Sequence, residues 1–181
     1  MRITFLGTGT STGVPEIGCQ CEVCQSEDKR DKRMRSSLLV EVDGKNLLID
    51  CGPDFRWQMI SNKIAHLDAV LITHEHYDHV GGLDDLRPFS QDKNMDIYAE
   101  ENVLKGIENK MPYVFRKHWN PALPHFTLHD ISLLPFEAAG VPIVPIRVMH
   151  GYLPILGFRI KNMAYLTDVK TIPENEYKKL Q

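Results

Sequence analysis

Residues 69–82 read AVLITHEHYDHVGG, an apolar run that ends on three histidines and two acids within positions 74–79. Imidazole and carboxylate crowded at the mouth of a buried strand cost free energy unless something binds them together. A metal ion meets that need, and mixed nitrogen and oxygen ligation suits zinc, manganese or iron. His74 and His76 are two residues apart, so on extended backbone they point the same way. Asp78 and His79 follow where the strand gives out, and Gly81-Gly82 is expected to let the main chain turn sharply beside them. The spacing predicts one ion on His74 and His76 and a second, adjacent ion on Asp78 and His79, with Glu75 and Tyr77 directed away.

Other strands carry polar groups at their ends, where a rigid scaffold presents its working residues. VPIVPIRVMH closes on His150 and NMAYLTD on Asp168. Alone, His150 reads as an ordinary polar residue and Asp168 as a cap or turn former; beside the 74–79 cluster both become candidate ligands. Upstream, Arg2 to Leu6 reads as a strand entering the glycine-rich stretch 7–10. Asp43-Gly44 between the β-rich runs 37–42 and 45–50 signals a hairpin. Pro53 opens a helix through about Lys63. Further strands are expected at 69–73, 96–99, 141–148, 156–161 and 163–167, a short helix at 82–89 and a longer one at 101–110. Without repeats or linkers, residues 1–181 read as a single α/β domain.

With 43% hydrophobic and 25% charged residues, the 181-residue chain has a globular composition. A net charge of −3 argues against a dedicated polyanion binder. The basic segment Lys29-Arg30-Asp31-Lys32-Arg33-Met34-Arg35 reads either as a solvated connection or as a phosphate contact. The N-terminal apolar run is too short for a signal peptide and no stretch reaches the ~18 apolar residues of a membrane span, so a cytoplasmic location is expected. Cys19, Cys21 and Cys24, in a loop at about 18–35, are too close in sequence for an ordinary disulfide framework and suit a shared zinc. Cys51 reads as a fourth ligand or, better, as a small core residue. His118, Trp119, His125 and Phe126 read either as a lid over the site or as an aromatic loop packed on the sheet, and His66 and His129 stay unassigned.

The stretch THEHYDH (73–79), preceded by FLGTG (5–9) and LLIDCG (47–52), resembles the metallo-β-lactamase superfamily of binuclear hydrolases from residue 2 to about 170. The resemblance implies an αββα sandwich with a metal site at one edge between two sheets. It implies that His74, His76 and His150 hold one ion, Asp78 and His79 the other, that Asp168 bridges both, and that Asp50 supports the site by orienting an imidazole. GVPEIGCxCxxC (13–24), RSSLLV (35–40) and DCGPDFR (50–56) are similar to the branch containing phosphoribosyl cyclic phosphodiesterase. That branch implies hydrolysis of a small or cyclic phosphodiester, with two divalent ions (zinc, manganese or iron) at the active site and a structural zinc on Cys19, Cys21 and Cys24. Asp78 and Asp168 are then the catalytic carboxylates, around a water that two cations acidify toward hydroxide.

The alternatives are a pyrroloquinoline-quinone biosynthesis protein of the B type, a tRNA 3′-processing nuclease, and a non-enzymatic, metal-stabilised binding module. The expected partner is a small phosphodiester, with no membrane, nucleic acid as the weaker alternative, and homodimer formation through an exposed sheet edge left open. In the resembled branch a segment beyond the Asp168 position supplies a last metal-binding histidine, an active-site histidine and the fourth zinc ligand. The sequence has no histidine after His150 and its last residue is Gln181. The C-terminal part of the fold, and with it the general acid, is therefore expected to be missing.

Overall fold

The computed structural model describes residues 1–116 and 120–180. Asp43 and Gly44 both take positive φ, 51° and 74°, so β2 (Ser37–Val42) folds straight back onto β3 (Lys45–Ile49) as the Asp-Gly pair predicts. β1 (Arg2–Gly7) pairs antiparallel with β2. Beyond β3, the strands β4 (Ala69–Leu71), β5 (Met95–Ala99) and β6 (Phe126–Asp130) add in parallel, completing a six-stranded sheet in sequence order. β7 (Phe136–Ala138), β8 (Val141–His150), β9 (Leu153–Ile160) and β10 (Met163–Tyr165) form a second, antiparallel sheet in the order β10-β9-β8-β7. The short β7 was not legible in its sequence.

Alternation along the strands builds two cores. Leu38, Val40, Leu47, Ile49 and Leu71 pack toward Val141, Ile143, Leu156, Phe158 and Ile160 of the second sheet. Leu39, Leu48, Val70, Ile72 and Ile97 pack on the opposite side. There they meet Phe55 and Met59 of α2 (Phe55–Asn62), Val80 of α3 (Tyr77–Val80), and Val103, Leu104 and Ile107 of α4 (Glu101–Lys110), with α1 (Glu22–Gln25) lying in the cysteine loop. Burial on both faces is why β2 to β4 carry the longest apolar runs, whereas β5 alternates between buried Met95, Ile97 and Ala99 and half-buried Asp96 and Tyr98. Mixed strands and helices in a sandwich of two sheets match the expected fold class.

The outer face of the second sheet is covered by the last part of the chain. Ile146, Val148 and Ile155 pack with Leu166, Ile172 and Leu180. Residues 170–176 also satisfy the edge of β8: Met149 N–H donates to Thr171 O (2.9 Å), Lys170 N–H to Met149 O (2.8 Å), and Arg147 N–H to the Glu176 carboxylate (2.8 Å). This edge is therefore closed to pairing with a second chain. No helix among the described residues is long and apolar enough to cross a membrane.

The lid reading fails for two of its four residues, and His118 and Trp119 lie outside the described residues. Phe126 begins β6 and packs into the helix-side core, its ring 6.3 Å from that of Phe115. The His125 N–H donates to Ser90 Oγ (3.0 Å). Because β6 runs parallel to β4 and β5, its start lies at the sheet edge opposite to the one where His74 emerges.

Candidate metal centre

At the C-terminal edge of the parallel strands, four chain segments converge. Asp50 follows β3 with φ 63°, residues 73–76 follow β4, His150 ends β8, and Asp168 follows β10 with φ 53°. Leu156 N–H on β9 donates to Thr73 O (3.1 Å), which ties the two sheets together at this corner. Aspartate tolerates positive φ better than most residues, so both acids can sit at abrupt strand ends.

A fully buried carboxylate organises the interior of the cluster. Asp50 Oδ1 accepts the Thr73 N–H (2.8 Å), the Thr73 hydroxyl lies 2.9–3.0 Å from both carboxylate oxygens, and Oδ2 is 2.7 Å from His79 Nδ1. Thr73 Oγ1 is also 3.0 Å from His74 Nδ1. A carboxylate can only accept, so Thr73 gives its proton to Asp50 and is left to accept one from His74 Nδ1–H. Asp50 thus sets the tautomer of two imidazoles, one directly and one through Thr73. Both are turned with Nε2 toward the cluster.

The Nε2 atoms face the acids. His79 Nε2 is 3.2 Å from Asp78 Oδ2 and 3.2 Å from Asp168 Oδ2, and His74 Nε2 is 3.5 Å from Asp168 Oδ2. His74 Nε2 is buried with no hydrogen-bond partner, an orphan nitrogen that a cation would satisfy. Donor atoms of His74, His76 and Asp168 lie within 4.8 Å of one another, and so do those of Asp78, His79 and Asp168. The two triples share Asp168, the arrangement in which a carboxylate can bridge two ions. His150 stands beside the first triple, its ring 5.3 Å from that of His76 and 5.8 Å from that of His74, without joining either triple. Imidazole and carboxylate donors, an orphaned nitrogen and a shared acid fit a pair of divalent ions.

The charges of the metal-free cluster follow from the same contacts. Burial opposes a proton on His79, but Asp50, Asp168 and Asp78 outweigh it and raise the pKa to about 10. Burial, joined by the positive charge of His79, pulls His74 down to about 4. The hydrogen bond from His79 holds Asp168 at about 2. An imidazolium at 79 among three carboxylates stands where a cation would otherwise supply the positive charge.

Gly81 and Gly82 make the expected turn between α3 and the next helical segment, but with negative φ values (−67° and −100°) that other residues also adopt, so the turn itself does not call for glycine. They are needed for close packing instead. A Cβ on Gly82 would strike Gly52 O, one on Gly81 would strike the Tyr77 ring, and one on Gly52 would strike Asp78 O. Cys51 N–H donates to His79 O (2.8 Å) and Gly82 N–H to Cys51 O (2.9 Å), so the 50–52 segment is stitched directly under the 78–82 turn. Tyr77 points into solvent, and the Glu75 carboxylate leans on Gly106 of α4, away from the cluster as expected.

Cys19, Cys21 and Cys24 also come together, their sulfurs within 4.8 Å. Donation from Cys24 N–H, followed by the Cys19 and Cys24 thiols, holds the Cys21 thiol below its usual pKa. Cys51 is not part of this group; it is fully buried in the helix-side core, and burial pushes its thiol up. His129 bonds Asp96 (2.8 Å) and stacks on Tyr98, while His66 lies 3.4 Å from Asp68, so both are accounted for by local contacts. The residues that sequence reasoning missed are Thr73, which immediately precedes the histidine motif, and Gly52, which closes the 50–52 segment.

Comparison with known proteins bears on this geometry. The family model of the beta-lactamase superfamily domain matches residues 45–181. The octanoyltransferase of Porphyromonas gingivalis is 54% identical over 178 residues, which are 97% of this chain and 36% of that protein. A crystal structure described as a new diphosphatase from the PhnP family shares 38% identity at a TM-score of 0.91, over 99% of this chain and 70% of that one. Zn(2+)-bound PqqB from Methylobacterium extorquens superposes at a TM-score of 0.77 with 21% identity, over 99% of this chain and 69% of that one, which speaks for the fold alone. The chain spans about a third to a half of the length of the curated relatives it matches.

Proposed function

The chain belongs to the beta-lactamase superfamily, and from that premise we propose that it is a binuclear metal-dependent hydrolase of small phosphodiesters or diphosphates. The observation that carries the reading is the pair of ligand triples sharing Asp168. In it His74 and His76, with His150 beside them, hold one ion, Asp78 and His79 the other, and Asp168 lies between. The likeness to a PhnP-family diphosphatase at 38% identity supports the substrate class. The octanoyltransferase name belongs to a protein of which the matched part is 36%, so acyl transfer is not carried over. Cys19, Cys21 and Cys24 are proposed to hold a structural zinc.

When bound, two such ions acidify a water and take up charge on the phosphoryl oxygens. The chain's own residues prepare the place for that chemistry. Asp50 keeps a proton on Nδ1 of His79, and through Thr73 on Nδ1 of His74, so that both Nε2 lone pairs are free for ligation. Asp78 and Asp168 supply negative charge on the inner side, and the exposed His76 with the half-buried His150 line the open side where a substrate enters. No protein nucleophile is required, and the sequence contains no G-x-S-x-G elbow.

The test is an element-resolved metal count on chelator-free protein, together with turnover of bis(p-nitrophenyl) phosphate and a dinucleoside diphosphate. Two ions beyond any held by the cysteines are expected. Asp78→Ala and His76→Ala should each lower turnover by at least about 10²-fold, while Cys21→Ser should keep turnover and lower thermal stability. Parent-like rates in the first two variants, with both ions bound in the parent protein, would sink the proposal. Saturated ions without turnover on any ester would favour the binding module.

A further inference from the structure

The basic segment 29–35 has no role in the metal centre, yet the fold does not leave it as a loose solvated loop. Val14 and Arg33 exchange backbone hydrogen bonds (2.9 and 2.8 Å), and Gly9 N–H donates to Met34 O (2.7 Å). A Cβ on Gly7 or Gly9 would strike the backbone of residues 33–35, which explains the glycines of the FLGTG stretch: they let the basic segment lie directly against it. Beside this seam opens a cavity of about 300 Å³ lined by Gly13, Val14, Lys32, Arg33, Asp54 and Trp57, among others.

The charges and surfaces around the cavity are unequally used. Arg35 is committed to Asp54, through its guanidinium (2.9 Å) and its backbone N–H (2.8 Å). That pair neutralises the cavity's acid. Lys32 and Arg33 are exposed, and neither side chain makes an ion pair or hydrogen bond among the described residues. Trp57, on the first turn of α2, leaves 59% of its surface in solvent. Two unpaired cations beside an open indole face, on a backbone held rigid by cross-segment hydrogen bonds, combine anion binding with ring stacking.

β1 and β3 both pair antiparallel with β2, so the residues after β1 and the Asp50–Asp54 segment after β3 leave the sheet at the same edge, and both contribute to the cavity. Asp54 is four residues after Asp50, so the chain between them spans at most about 14 Å. A ligand anchored at Lys32 and Arg33 can therefore extend toward the metal cluster. We propose that this cavity is a subsite for the nucleoside monophosphate end of the substrate, its phosphate on Lys32 and Arg33 and its base on Trp57. This rests on the phosphoester reading of the metal centre and narrows it to nucleotide-containing diesters and diphosphates.

The subsite is tested by AMP binding to the full-length metal-loaded protein, followed by equilibrium dialysis and by tryptophan fluorescence, with adenosine and inorganic phosphate as partial probes. Saturable AMP binding with quenching is expected, and weaker binding of either part alone. Lys32→Ala with Arg33→Ala, and separately Trp57→Leu, should each weaken AMP by about tenfold. Lys29→Ala with Arg30→Ala, on the same segment but outside the cavity, should leave it unchanged. All these side chains are exposed, and a thermal melt verifies folding. No AMP binding, binding that survives both sets of cavity changes, or equal loss in the Lys29/Arg30 control would each overturn the subsite.

Turnover separates the subsite from the function it rests on. The Lys32/Arg33 variant should raise KM for a dinucleoside diphosphate about tenfold and leave bis(p-nitrophenyl) phosphate unaffected. Parent protein that turns over neither substrate refutes the hydrolase, whereas the AMP result still decides the subsite by itself.

Discussion

Replacing Asp50 with asparagine isolates the orientation of one imidazole from the presence of the ligands. The asparagine oxygen can take the Oδ1 position, where it still accepts the Thr73 N–H (2.8 Å) and hydroxyl (3.0 Å), so the His74 arm is kept. The amide nitrogen then faces His79 Nδ1 across the 2.7 Å contact, donor against donor. His79 escapes by moving its proton to Nε2, the atom that faces Asp78 and Asp168 at 3.2 Å and that an ion would need unprotonated. Losing a partner that orients a ligating histidine typically weakens metal affinity 10- to 100-fold, about 1.4–2.7 kcal/mol. In the metal-free protein the variant also gives up a charged hydrogen bond in a fully buried place, about 1.5–3 kcal/mol of stability. Metal content after dialysis against a competing chelator should fall by one ion per chain, with the His74–His76–Asp168 ion retained. Asp50→Asn protein that keeps both ions at parental affinity would refute the assignment of Asp50 as the group that sets the His79 tautomer.

Thr73→Val should act on the other arm: it leaves the His74 Nδ1–H buried without an acceptor, costs about 1–3 kcal/mol in a denaturant melt, and weakens the first ion more than the second in the same chelator competition. Gly52→Ala forces Asp78 O outward, so the ion on Asp78 and His79 should weaken while thermal stability falls by about 1–3 kcal/mol; an unchanged metal count and melting temperature would contradict the close-packing argument. The metal-free protein should be most stable near pH 6.5. The His79 contribution, from a pKa raised to about 10, is complete below pH 6.5 and is lost as pH rises toward 10. The His74 contribution, from a pKa lowered to about 4, is complete above pH 6.5 and is lost as pH falls toward 4. Melting temperatures that stay flat from pH 4.5 to 9 after chelation would rule this out. Because His79 must shed its extra proton to ligate, ion binding at pH 7 to 8 should release protons, seen as a buffer-dependent heat in calorimetry.

What could be read from the sequence follows how far apart the cooperating residues lie. The hairpin at Asp43-Gly44 and the candidate ligands from His74 to His79 are local: a two-residue period and one helical turn are enough to aim them. The functions of Gly52, Thr73 and Gly82 are not local. Gly82 is small because Gly52 O presses on it from thirty residues away, and the glycine pair is silent about that until β3 and β4 are laid side by side. The lid alternative fails at His125 and Phe126 for a similar reason, since the residue types there do not carry the direction of β6. Cys51 sits next to Asp50 in sequence and yet packs into the helix-side core with Leu48, not into the inter-sheet core with Ile49, because the left-handed backbone at Asp50 (φ 63°) breaks the strand alternation. The residues that would touch an ion are thus recognisable by type and spacing, whereas those that orient them are ordinary threonine, glycine and aspartate, made special by a neighbouring strand. It follows that a chain can keep the whole H-x-H-x-D-H motif and still lose its ions through position 50, 52 or 73. Metal retention in variants at those three positions is therefore a sharper test of the centre than removal of a ligand, whose loss any metal-binding arrangement would register.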